Sequence, residues 1–362
     1  MKFSFKWLRR KRVILICVNI LLLVLIVAAC IVSGRFRDTL ESQRFAERFS
    51  VDGEPYGQAS VFLADSAGLT EEELFPAVAD FDRRLVEAGM LADDEDSGKM
   101  IWTYGYSAES LLSVKWENST AEAKATGVGE NFFMFHPLSL KSGTYFYGDD
   151  LMQDKVIIDE VLAWQLFGAT DVAGMTVEIG GLPYIIAGVS AIENDFASAS
   201  VYGDKPRIYL SYQALLLNDE SAKITCLEVL MPSPIENFAL MTAQTVFEGM
   251  VVGSGNLEIV ENSTRFSAPA LLRVIGNFGL RSTRQVDLTY PYWENAARIV
   301  EDYMALLLAI IIVLLVFPLA SLVVLIVALW RGRRWHFSDL KSFIYDKLEK
   351  YREWKKTAKK RQ

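Results

Sequence analysis

Histidines, cysteines and paired carboxylates carry most acid–base, nucleophilic and metal chemistry, and this chain is sparing with the first two. It holds two histidines and three cysteines in 362 residues. Its long central segment contains one of each, His136 and Cys226, too few for a His/Cys metal cluster. A Ser-His-Asp relay would have to use His136, which stands before Pro137 in an aromatic-rich stretch and reads as a packed or capping histidine. Gly253-Ser254-Gly255 lacks the spacing of a nucleophile elbow. Asp93-Asp94-Glu95-Asp96 is acidic enough to suggest calcium, but no Glu closes the loop at its twelfth position, so a solvated turn is expected. No G-x-x-x-x-G-K-[ST] occurs, so the chain carries no P-loop of its own. The expectation is a protein that is not an enzyme, with no catalytic, cofactor-binding or metal-binding residues.

The elements around these residues explain the sparing use of chemistry. Val13 to Val32 is a 20-residue apolar run with one strongly polar member, Asn19. At about 1.5 Å per residue it spans the roughly 30 Å of a bilayer core. Met304 to Trp330 is a 27-residue run without a charge, interrupted by Pro318 and Ser321. It suits one long or tilted span of about 40 Å, kinked at the proline. Residues 1–12 hold six basic residues and no acid, residues 331–362 have a balance of +8, and the remainder has a balance of -22. Basic flanks at both ends place both termini in the cytoplasm. Residues 13–33 and 304–330 are then membrane helices, and residues 34–303 are extracytoplasmic. Val27-Ala28-Ala29-Cys30 looks like a lipoprotein cleavage box, but a retained helix explains the length of the run better. This distribution excludes a soluble cytosolic enzyme and speaks against nucleic acid as a partner of the acidic zone.

The exterior segment alternates strand and helix patterns. Residues 56–64 read as a strand. Thr70 caps a helix to about Gly89, with Leu74, Val78, Phe81 and Leu85 at helical spacing. Residues 101–107 and 110–116 read as a hairpin-like pair. The strand ITCLEVLMPSP precedes a helix over 234–249, and NLEIVEN precedes one near 268–277. Together these predict an α+β fold with a βα subdomain. Over about 140–215 short strands dominate and suggest a β-rich subdomain. A strand at 156–160 feeds a helix ending at Phe167, with Gly168 in the left-handed C-cap position. Strands 175–180 and 182–189 meet at a Gly180-Gly181 turn that requires positive φ.

The stretch VIIDEVLAWQLFGATDVAGMTVEIGGLPYIIAGV resembles the extracytoplasmic core domain of MacB-like ABC permeases, the group that includes FtsX-like proteins. Leu166, Phe167, Gly168, Val172, Gly174, Gly188 and Val189 match the family pattern in order and spacing, as does the upstream NFFMFHPLSLKSGTYF. Gly180 and Gly181 supply the hairpin turn within it. These residues serve folding. The family's usual permease has one span before this domain and three after it, whereas here one follows. The resemblance implies a truncated, two-span, non-catalytic permease-like subunit of an export or mechanotransmission system. Its partners would be a separate ABC ATPase, a full-length permease, or both, in a homo- or hetero-oligomer. The alternative is a cell-surface binding or regulatory module that recognises a cell-wall protein or an extruded substrate without an ATPase.

The basic tail, 331–362, predicts an amphipathic helix from Ser338 to about Ala358. Leu340, Phe343, Ile344, Leu348, Tyr351 and Trp354 share one side. Membrane lipid is the expected partner of that side, with an ATPase groove as the sharper alternative.

Overall fold

The computed structural model describes residues 5–49, 55–90, 101–147, 150, 152–251, 255–283 and 288–332. The expected acidic turn at Asp93–Asp96 and the whole tail helix lie outside these residues. The chain falls into two compact units, residues 1–29 with 310–362, and residues 30–309. In chain order the elements begin with α1 (Phe5–Asp38), α2 (Phe45–Phe49), β1 (Tyr56–Leu63), α3 (Glu71–Glu87), β2 (Thr103–Trp116), β3 (Ser119–Glu130) and α4 (Phe132–Phe135). Next come β4 (Leu140–Gly143), β5 (Lys155–Asp159), α5 (Glu160–Phe167), β6 (Thr176–Ile179), β7 (Leu182–Ser190), α6 (Phe196–Val201), β8 (Arg207–Ser211) and α7 (Tyr212–Asn218). The last are β9 (Cys226–Pro232), α8 (Phe238–Phe247), β10 (Leu257–Glu261), α9 (Ala268–Thr283) and α10 (Tyr292–Gly332).

The first unit contains the apolar portions of α1 and α10, both long and apolar enough to cross a membrane. Asn19, the polar exception in the first run, donates to the Leu15 carbonyl at 2.8 Å and to the Ser321 hydroxyl at 3.3 Å. A side-chain amide in hydrocarbon requires such partners. α10 continues through Pro318 without ending.

The second unit is a mixed sheet with helices, the expected α+β class. Among the described residues the strand order is β10-β1-β9-β2-β3-β8-β5-β7-β4. β3–β8 and β5–β7 are parallel pairs, and the other neighbours are antiparallel. The strands expected for the two subdomains occupy the two halves of this one sheet. The expected break in 101–116 is overturned: β2 is one 14-residue strand whose hairpin partner is β3. Nothing near Ala108 or Glu109 takes positive φ, whereas Glu117, at the real turn, has φ 50°. β2 needs its length because, along the edge opposite β3, it serves two neighbours in turn. Thr103–Ser107 pairs with β9, and Val114–Lys115 pairs with β6. Since β6 also pairs with β7, the strands β2-β3-β8-β5-β7-β6 close a ring.

Period-two alternation sorts side chains to two faces. Val156 and Ile158 of β5, with Ile208 and Leu210 of β8, join one core with α3, α5, α7 and α8 residues. Ile157 and Tyr209, between them in sequence, join an aromatic cluster with Phe132, Tyr202, Tyr292 and Trp293 on the other face. Local signals set the element ends. Thr70 and Glu73 form a reciprocal capping box at α3. Asp159 caps α5, and Gly168 ends it at φ 68°. Gly180 and Gly181 have φ 58° and 85°, as a two-residue hairpin turn demands.

Candidate functional site at the root of α10

Three consecutive residues begin α10, and each enters a different buried network. Pro291 precedes them, and its carbonyl accepts from the Glu294 and Asn295 amides to start the helix. The helix is straight-through sequence from there, with no glycine before Gly332.

Tyr292 is the first. Its ring lies 4.0 Å from the Arg207 guanidinium, and the Tyr202 ring lies 4.7 Å from the same group. Arg207 is buried between these π-faces, where a desolvated cation gains most from them. Asp159 supports the arrangement. Its carboxylate accepts from the Leu162 amide, the Arg207 amide and the Tyr202 hydroxyl, at 2.7 to 2.8 Å. Burial raises the Asp159 pKa by more than these donors lower it. Tyr292 itself reaches the Tyr209 hydroxyl at 3.2 Å and donates to Glu193 at 3.1 Å. Burial keeps its phenol protonated, well above the ordinary range.

Trp293 is the second. Its ring centre is 4.3 Å from that of His136 and 5.6 Å from that of Phe132. His136 Nε2 pairs with Glu228 on β9. The other Glu228 oxygen accepts from the Ser60 hydroxyl at 2.8 Å, and Ser60 accepts from Asn262 at 2.7 Å. Ser60 therefore meets the carboxylate and not the imidazole, the wrong order for a nucleophilic relay. His136 is a packed, buried histidine. Asn262 is buried in the same chain of bonds.

Glu294 is the third and the most fully paired. Arg265 grips it through both nitrogens, at 2.7 and 2.9 Å, with the two side chains 3% and 0% exposed. Arg265 also reaches Glu301 at 3.3 Å and Gln43 at 3.2 Å. One turn on, Arg298 donates to Glu294 at 2.7 Å and to Glu258 at 2.8 Å, with its guanidinium 3.8 Å from the Tyr290 ring. Burial works against both arginine charges, but Glu294 with Glu301, and Glu294 with Glu258, outweigh it and raise both pKa values. An open cleft of about 690 Å³ borders this network, lined in part by Glu261, Thr264, Arg273 and Asn277.

The arrangement holds a helix, and no reacting atom is presented in it. Among the described residues no group of three or more His, Cys, Asp or Glu is placed to hold a metal. Cys226 is buried, and burial first, then Glu228, pushes its thiol pKa up, an inert environment.

The residues that sequence reasoning singled out lie elsewhere. Leu166, Val172 and Val189 are buried in the larger core, and Phe167 packs 4.5 Å from Trp116. Gly168, Gly174, Gly180 and Gly181 all have positive φ. A side chain at Gly188 would strike the Thr144 carbonyl at 2.8 Å, beside a bulge in the β5–β7 pairing. Leu340, Phe343, Ile344, Leu348, Tyr351 and Trp354 lie outside the described residues. Sequence reasoning missed the α10 root. Its one available signal was the Glu294–Arg298 pair at i, i+4 just ahead of an apolar run.

A family model described as the MacB-like periplasmic core domain matches residues 17–243. The macrolide export ATP-binding/permease protein MacB of Neisseria gonorrhoeae is 29% identical over 143 residues, 38% of this chain and 22% of that protein. The protein of the same name from Agrobacterium fabrum is 25% identical over 182 residues, 44% of this chain and 28% of that one. This chain thus spans well under a third of the length of these relatives. The periplasmic region of MacB from Actinobacillus actinomycetemcomitans has TM-score 0.41 and 16% identity, over 61% of this chain and 92% of that one. The extracellular domain of the noncanonic ABC-type transporter YknZ from Gram-positive bacteria has TM-score 0.38 and 17% identity, over 56% of this chain and 99% of that one.

Proposed function

The chain belongs to the MacB-like periplasmic core domain family, and from that membership we propose that it is a permease-like membrane subunit of an ABC-type export or mechanotransmission system. It contributes no catalysis. A separate ABC ATPase, alone or with a full-length permease, biases the position of its outer domain. Both termini are cytoplasmic, residues 34–303 are extracytoplasmic, and the basic tail at 331–362 lies on lipid or on the ATPase. Leu166, Phe167, Gly168, Val172, Gly174, Gly180, Gly181, Gly188 and Val189 shape the domain and touch no substrate.

The observation that carries this reading is α10. It is one helix of 41 residues, anchored at its first turn by three buried networks and continuing as an apolar span. A conformational equilibrium shifts only through differential binding, so a chain without a nucleotide site needs a partner to move it. A stiff helix rooted in the domain passes such movement on, whereas a flexible linker would absorb it. The test is capture of the full chain from its native membranes in mild detergent, followed by mass spectrometry. An ABC nucleotide-binding subunit in stoichiometric amount is expected. Its absence from a folded, captured chain would overturn the reading.

One observation favours the second reading, a binding module. A cleft of about 740 Å³ is lined by Tyr106, Phe133, Met134, Tyr145 and Tyr147, with Glu71 and Glu130 among them. Aromatic side chains with a few polar groups suit recognition of an extruded molecule or wall component.

A further inference from the structure

The charge-free run of α10 is longer than a bilayer core needs. Its 27 residues exceed about 30 Å of hydrocarbon by roughly 10 Å, or about two helical turns. The structure shows what occupies the surplus. Met304 and Ala305 are buried, in one apolar cluster with Val300, with Leu40, with Ala197 of α6 and with Leu271 and Val274 of α9. α9 therefore lies against α10 at the level where α10 becomes apolar.

α9 carries more apolar surface than this packing uses. Leu272, Ile275 and Phe278 are 50%, 37% and 60% exposed, and their i, i+3, i+6 spacing makes them one stripe beside Leu271 and Val274. The charge of α9 is also unlike that of its surroundings. Its sequence, APALLRVIGNFGLRST, has two arginines and no acid, within a segment whose balance is strongly negative. A second exposed apolar feature sits at the same level. Phe196 of α6 packs 5.2 Å from Tyr303 of α10 and 6.4 Å from Phe36 of α1, yet Phe196 and Tyr303 remain about half exposed.

We infer that α9 is an interfacial helix that lies on the outer face of the membrane, with Leu272, Ile275 and Phe278 in the lipid headgroup–acyl boundary. An amphipathic helix of this composition buries its apolar side about 5–10 Å into that boundary. Phe196 and Tyr303 are aromatic residues at the same depth, the position that aromatic belts occupy. The helix thereby fixes the height of the exterior domain above the bilayer, a role separate from any partnership with an ATPase.

The test uses the full chain with Cys17→Ala and Cys30→Ala, reconstituted in vesicles of phosphatidylethanolamine and phosphatidylglycerol. One new cysteine at a time, Ile275→Cys, Phe278→Cys or Leu272→Cys, carries an environment-sensitive fluorophore, the remaining native Cys226 being buried, and Glu72→Cys on α3 serves as the remote control. Blue-shifted emission, quenched roughly twofold or more by shallow nitroxide lipid, is expected at the α9 sites and not at residue 72. Water-like emission at the α9 sites would overturn the inference. Blue-shifted emission that lipid-borne nitroxide leaves unquenched would also overturn it, because protein would then cover the stripe. Three positions on one stripe keep the test decisive if one variant fails to fold. The vesicles hold no ATPase, so a negative result leaves the proposed function standing.

Discussion

The two long helices meet the exterior domain in different ways. At the root of α1, the charged contacts are surface pairs. Arg37 pairs with Glu47, the two side chains 44% and 41% exposed, and Arg44 pairs with Asp38 at 2.8 Å, also in solvent reach. After Asp38 the chain turns through a short 3₁₀ segment, Glu41–Arg44, before α2. At the root of α10, Tyr292, Trp293 and Glu294 are buried, with aromatic, histidine and charged partners drawn from α4 and the residue after it, from β8 and from the loop after β10. Exposed ion pairs contribute about 0–1 kcal/mol each, whereas removing one partner of a buried pair costs about 3–5 kcal/mol. The difference teaches a division of labour. α1 tethers the domain, and α10 is built into it.

Three experiments can break that contrast or sharpen it. The largest effect is expected from flexible insertions. A Gly/Ser linker after Tyr303 should abolish function, read as growth or export in a strain dependent on this protein, while the same linker after Thr39 should leave much of it. Equal tolerance at the two places would remove mechanical coupling through α10. Next in size is Glu294→Ala, which strands Arg265 without its main partner and should cost about 3–5 kcal/mol of unfolding free energy. Arg37→Ala should cost less than about 1 kcal/mol. Thermal unfolding of both variants in detergent compares the two roots directly, and matching losses would dissolve the distinction.

The smallest effect concerns Glu261, which borders the α10 cleft. Burial pushes its carboxyl up from 4.5 to about 7, against hydrogen bonds from the Leu240 amide and Ser263 that lower it. Folding therefore tightens its proton. The resulting stability is complete below about pH 4.5 and is lost as pH rises through about 7. Glu261→Gln should remove this loss, raising stability at pH 8 by on the order of 2 kcal/mol and changing little at pH 4. Denaturant titrations at the two pH values check it. A variant no more stable than the parent at pH 8 would show that Glu261 ionises without strain on the fold.

Much of the fold was legible where local chemistry decides it. The Thr70 cap, the Gly168 terminus and the Gly180-Gly181 turn are all short-range devices, and each lies where the sequence pattern places it, whereas Asp159 and Glu160, read as the end of a strand, cap and begin α5. The second apolar run was legible too, and α10 extends back from it to Tyr292 because no Gly or Pro stands between Pro291 and Pro318. β3 was not. Its sequence, STAEAKATGVGE, is rich in residues that disfavour strands, yet it is central, between β2 and β8. The small residues are there for close approach: a side chain at Gly129 would strike the Tyr106 ring, and one at Gly127 would strike Leu215. The α10 root was illegible for a related reason. His136 and Glu228 are separated by 92 residues and Tyr292 and Tyr209 by 83, and no spacing rule reaches that far.

The register of β1 has a consequence for how the domain is made. Its neighbours are β9 and β10, with Tyr56 opposite Pro232 and Ala59 opposite Glu261. Once β1 is made, one of its edges stays unpaired until β9 has followed, ending at Pro232, and the other until β10 has followed, ending at Glu261. At about 5–20 residues per second, some 200 residues take on the order of 10–40 s. Through that interval at least one edge of an apolar strand stays open, the kind of surface that invites wrong pairing. β1 is thus fully paired only when the chain has nearly reached α10, the helix that carries it back into the bilayer.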